Sequence, residues 1–201
     1  MINQWYNAEK GDVYMKKNST RKLALAGILL AIIIIMQLVK NVSAYISGPV
    51  INTVMVIAGI ELGTWWGIGF SVIVPILSLV FAPASPMTML STQTHFMTVP
   101  IIIIGNIILV MAAKIGSKNT DTNKGKVIFI VSLVIGAVLK WLFMWGCGEL
   151  VLLPIFGESL GKLAAVVTKV FSTLQLYSGL LSIILIVPVE AAMKKFLKSQ
   201  K

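Results

Sequence analysis

Long apolar runs separated by clusters of positive charge are what most constrain the folding of this chain. Leu23 to Val39 and Val127 to Leu139 contain no charged residue, and a helical span needs roughly 17–25 mostly apolar positions. Of the 17 Lys and Arg residues, five (Lys10, Lys16, Lys17, Arg21, Lys22) precede the first run. Four (Lys114, Lys118, Lys124, Lys126) fill one polar interior loop, and four (Lys194, Lys195, Lys198, Lys201) close the C-terminus. Cationic loops stay on the cytoplasmic side during insertion. The clusters therefore demand an even number of crossings between each pair.

Charged residues make up 12% of the 201 positions and hydrophobic ones 57%, about half the charge of an ordinary soluble domain. The expected fold is an all-α integral membrane protein of six transmembrane helices, with N- and C-termini cytoplasmic. A net charge of +10 could serve nucleic acid, but the cations sit at span ends, beside the anionic inner leaflet. No basic patch interleaves with aromatics as single-strand binders require, so nucleic acid is excluded as a partner. A single cysteine, Cys147, rules out an internal disulfide and reads as a packing residue. No small-residue cleavage site follows the first run, so the first span is expected to be retained.

The pattern predicts a cytoplasmic segment 1–22, a membrane domain 23–193 and a cytoplasmic tail 194–201. Spans are expected at Leu23 to Val39, Val50 to Leu62, Trp65 to Phe81, His95 to Ala113, Val127 to Gly146 and Leu163 to Val189. A tight inner turn is expected at Gly63 and Thr64, and an inner basic loop at 114–126. Outer loops are expected at 40–49, 82–94 and 147–162. The second, with three prolines, reads as ordered and non-helical. The third is too apolar for a free loop and reads as a lid or hairpin. Trp65 and Trp66 fit an interfacial anchor. Glu61 and Glu190, at inner span ends, read as solvated or headgroup-facing. No internal repeat is evident, which argues against an inverted-repeat transporter.

Ionisable groups inside spans are expensive and are functional candidates. Lys140, Trp141, Trp145 and Glu149 crowd the outer end of the fifth span. The last three recur at i, i+4, i+8 and share a helical face. Two indoles one turn apart can sandwich a flat heterocycle while Lys140 or Glu149 orients a polar edge; the bland alternative is an aromatic belt with snorkelling ends. Gln93, His95, Asn106, Asn52, Gln175 and Tyr177 fall at comparable depth in the outer half. Each alone could equally make an interhelical hydrogen bond; together they predict a substrate-binding pocket facing outward. On the first span Ala24, Gly27 and Ala31 recur at i, i+3, i+7, a smooth stripe where another helix can approach, with Ala26 widening it.

Several chemistries drop out. One histidine cannot build a His-based zinc site, and no metal or other cofactor is expected. Gly157 to Leu163 only faintly resembles a phosphate loop: it is one residue short and lacks Ser or Thr after Lys162. No nucleophile elbow or paired catalytic groups are present, so no catalytic residue is expected.

The organisation resembles the substrate-binding S component of energy-coupling factor (ECF) vitamin transporters: about 200 residues, six spans, both ends inside, and a small-residue stripe on span one. Local stretches share the likeness, namely Pro100 to Asn106, Phe171 to Gln175 and Pro188 to Lys195. The resemblance implies a non-enzymatic subunit of a bacterial cell membrane ABC importer. It would bind a small vitamin-like solute from outside and deliver it through a transmembrane coupling subunit driven by two cytoplasmic ATPases. In that family small residues on span one, matched by Ala24, Gly27 and Ala31, pack on the coupling subunit; the usual pattern is alanines four apart, and Gly27 departs from it. A stand-alone secondary transporter or channel is the first alternative, and a membrane scaffold or enzyme the second. Two indoles with amide and imidazole donors suit flavins, pterins, pyridoxine or purine-like precursors alike.

Overall fold

The structure, a computed structural model, describes the backbone of residues 2–199 and the side chains of 19–118 and 120–195. Among these residues the fold is all-α. Helix α1 (Ile2–Lys40) is followed by α2 (Ala44–Ile57), which runs on through a π-helical turn, Ala58–Leu62. Then come α3 (Thr64–Phe81), α4 (Pro86–Gln93) and α5 (Thr98–Gly116), a 3-10 turn (Ser117–Asn119), and α6 (Asn123–Cys147). The chain next reverses through a π turn (Gly148–Leu152), α7 (Leu153–Leu160), a 3-10 turn (Gly161–Leu163), α8 (Ala164–Thr168) and a second π turn (Lys169–Thr173). Helix α9 (Leu174–Ser199) completes the fold.

Five helical stretches are long and apolar enough to cross a membrane: Ser19–Lys40, Ala44–Leu62, Thr64–Phe81, Thr98–Gly116 and Asn123–Lys195. The last contains both α6 and α9, which pack along one another, as α2 packs on α9 and α5 on α6. The protein is thus a multi-pass helical membrane protein in its architecture.

Several expected boundaries are corrected. The second span starts at Ala44, and Pro49 lies inside it. Neighbouring helices and side chains re-satisfy the groups a membrane-helix proline frees, so Pro49 does not end the helix. The loop expected at 40–49 shrinks to residues 41–43. The segment 82–94 is not non-helical. Ser85 caps α4, its Oγ accepting from the Thr88 N–H at 3.3 Å, and Pro86 occupies the first turn. Ser-Pro is a helix start here rather than a breaker. The next helix begins at Thr98, not His95, because His95 and Phe96 adopt positive φ (48° and 63°) and form the turn. Between 163 and 189 the helix is interrupted and becomes regular only from Leu174. Helix α1 is continuous through the polar segment before Leu23.

Two apolar clusters hold the bundle. The larger joins Ile33, Met55, Leu109, Leu133 and Ile186 from five helices; the other seats Leu90 of α4 and Leu152, Val167 and Phe171 of the reversal against Met144. Helices approach closely where glycines permit. A Cβ on Gly67 would lie 2.7 Å from Gly59 Cα. The expected turn between α2 and α3 is present, with Gly63 at φ 119°.

The two ends of the bundle differ. At one, Lys114 Nζ donates to the Ile60 carbonyl at 3.0 Å, and Glu190 meets Lys194 at 2.9 Å and the Thr120 hydroxyl at 2.8 Å. Glu190 is buried, not solvated as expected, because these partners replace water; Glu61 is half-buried. The other end carries α4 and the reversal.

Candidate functional site

The inward face of α6 is set by helical spacing. Leu133, Gly136, Ala137, Lys140 and Met144 are all buried at i, i+3, i+4, i+7, i+11. Lys140 is therefore carried into the bundle, 2% exposed. An isolated ammonium there would cost several kcal/mol unless its protons found acceptors. They do. Lys140 Nζ donates to Asn52 Oδ1 on α2 and to Asn106 Oδ1 on α5, both at 2.9 Å. Asn52 Nδ2 reaches Ser178 Oγ on α9 at 3.4 Å, and one turn before it the Gln175 amide donates to the Val170 carbonyl at 3.2 Å.

A second cation lies at the end of α1. Lys40 Nζ donates to Ser78 Oγ on α3 at 2.8 Å, and Ser78 Oγ is 3.3 Å from the Thr88 hydroxyl of α4. Thr88 is also 3.0 Å from Ser85 Oγ and donates to the Ser78 carbonyl at 3.1 Å. Both lysine networks border one cavity of about 80 Å³, enclosed by α1 to α6 and α9. Its apolar wall includes Ile51, Met55, Val74 and Ile102. It lies toward the end that carries α4, away from Lys114 and Lys194.

Of the residues expected to bind substrate, Asn52, Asn106, Lys140 and Gln175 line this cavity. The remaining six do not. Gln93 and His95 are exposed, the latter with its ring 6.1 Å from Phe156. Tyr177 meets Tyr45 edge-on at 5.5 Å, and Glu149 accepts from the Thr168 hydroxyl at 2.8 Å. Trp141 and Trp145 stack on each other, centroids 6.1 Å apart and planes within 16°, and Trp141 Nε1 donates to Ser172 Oγ at 3.4 Å. They leave no open gap for a third ring. A ring between them needs about 7 Å, two carbon contacts of roughly 3.5 Å, and the indoles already face one another.

Sequence reasoning missed Lys40, Ser78, Thr88 and Ser178. Lys40 did carry a signal, since it stands apart from the three cationic clusters, at the end of an apolar run. The hydroxyls carried none: a serine in an apolar helix usually bonds its own preceding turn. Gln37, also unexpected, is fully buried on α1; its amide donates to the Val74 carbonyl at 3.0 Å and its Oε1 has no partner.

The stripe of Ala24, Gly27 and Ala31 is exposed, and a Cβ on Gly27 would meet nothing within 4 Å. Ala26 does not widen it: it is 5% exposed and faces the core, because a position two residues from Ala24 points to another side of the helix. Among the described residues no three His, Cys, Asp or Glu side chains come together to hold a metal ion. No known protein family, curated protein or solved structure matches this chain.

Proposed function

We propose that this protein is the solute-capture subunit of an ECF-type importer in a bacterial cell membrane. Six crossings with both termini inside place 13 of the 17 basic residues in the cytoplasm. The cavity then faces the outer half of the bilayer. The observation that carries the reading is the convergence of Asn52, Asn106, Lys140 and Gln175, from four helices, on one cavity. Buried polar groups in lipid-embedded helices mark solute pathways. Helix α4 and the reversal 148–173 cover that end, as a closure over a captured solute would.

Delivery is assigned to partners: a transmembrane coupling subunit that accepts the Ala24, Gly27 and Ala31 face, and two ATPases that drive it. The face supports this role in that it is exposed among the described residues, while the small side chains allow close helix approach. Co-expression tests the reading directly. Uptake of the solute retained through purification should require the coupling subunit and both ATPases, and Gly27→Leu should stop uptake while leaving retention intact. Uptake by the chain alone would instead establish a stand-alone transporter.

A further inference from the structure

The cavity holds two lysines and no acid. Among the described residues no Asp or Glu lines it. Two carboxylates are engaged elsewhere: Glu190 with Lys194 at the opposite end, Glu149 with Thr168 in the reversal. Each ammonium offers three N–H donors. Lys140 uses two, on Asn52 and Asn106, and Lys40 uses one, on Ser78. Every acceptor is neutral. Buried cations are ordinarily paired with anions, and here half of the six donors and both charges remain uncompensated by the protein.

We infer that the captured solute is an organic anion whose carboxylate or phosphate group sits between Lys40 and Lys140. The inference rests on the capture reading above and names its substrate class. The remaining N–H donors of the two ammonium groups suit an acceptor-only group, and charge-assisted bonds to it are the strong kind. The Ser78, Thr88 and Ser91 side chains border the same space, while Ile51, Met55, Val74 and Ile102 supply a wall for a carbon skeleton. A volume of about 80 Å³ is several times the roughly 10–15 Å³ that one water requires, enough for the anionic head of a small acid.

The test compares matched pairs on the purified full-length chain at constant ionic strength: acetate against acetamide, benzoate against benzamide, and inorganic phosphate alone. At least one anion should raise the melting temperature and half-saturate at roughly tenfold lower concentration than its amide or, for phosphate, than chloride. Lys40→Met and Lys140→Met should each remove that advantage. Lys140→Met strands two amide oxygens; if it does not fold, Lys40→Met, half-buried with one bond, decides. Equal response to anion and amide, or an advantage that survives the substitutions, overturns the inference. A neutral solute released from the purified chain overturns it too, yet leaves capture standing. Anion preference without ATPase-dependent uptake does the reverse.

Discussion

Asn106→Leu isolates what holds Lys140 inside the bundle. The side chain is 3% exposed and its Oδ1 accepts from Lys140 Nζ at 2.9 Å. Leucine fills a similar volume but accepts nothing, so the ammonium keeps only the Asn52 oxygen. A hydrogen bond to a charged group contributes about 1.5–3 kcal/mol. Little water can replace the lost acceptor at a site 2% exposed, so the upper part of that range applies. In a chain of 201 residues a loss of about 2–3 kcal/mol lowers the melting temperature by about 4–12 °C. In the Lys140→Met background the ammonium is gone, and Asn106→Leu should cost less than about 1 kcal/mol, giving a coupling of about 1–3 kcal/mol in the double-mutant cycle. Denaturant unfolding of the four proteins in mixed micelles reads the four free energies. Equal cost of Asn106→Leu in both backgrounds would refute the pairing.

Cysteine placed at Lys118 should react with an impermeant maleimide only from the cytoplasmic side, and cysteine at Thr92 only from outside; labelling of both from one side would sink the six-crossing topology. Gly67→Ala pushes a Cβ to within 2.7 Å of Gly59 Cα and 2.6 Å of Val110 Cγ1 and should destabilise by about 1–3 kcal/mol, measured by thermal melting. Gln175→Leu should weaken solute retention at least fivefold, whereas Trp145→Ala, away from the cavity, should leave it within twofold; equilibrium binding to the purified chain separates them, and the opposite order would return the site to the indoles.

The spans were legible because lipid leaves few options: an uncharged run such as Leu23 to Val39 must be helical. Their ends were less so. Pro49 reads as a breaker in water but is carried inside α2 by its neighbours, and Ser85-Pro86 reads as coil but opens a helix. The polar site divided the same way. Lys140, Asn52, Asn106 and Gln175 were recognisable because a polar side chain at that depth needs a partner. Lys40 was passed over because it reads as the start of a loop, whereas α1 runs through it. For the indoles, shared helical spacing says that two rings are neighbours, not whether they open toward a ligand or close on each other.

The reversal between α6 and α9 has no long coil in it; from Gly148 to Thr173 the backbone passes through π, α and 3-10 turns, broken only at Gly161, where φ is 51°. Irregular backbone facing hydrocarbon would leave amides unbonded, at several kcal/mol each. Turns that bond within themselves largely escape that penalty, and Leu150 and Ile155, 78% and 59% exposed, give this corner an apolar outer surface. A corner built this way meets hydrocarbon at far lower cost than a coil of the same length would.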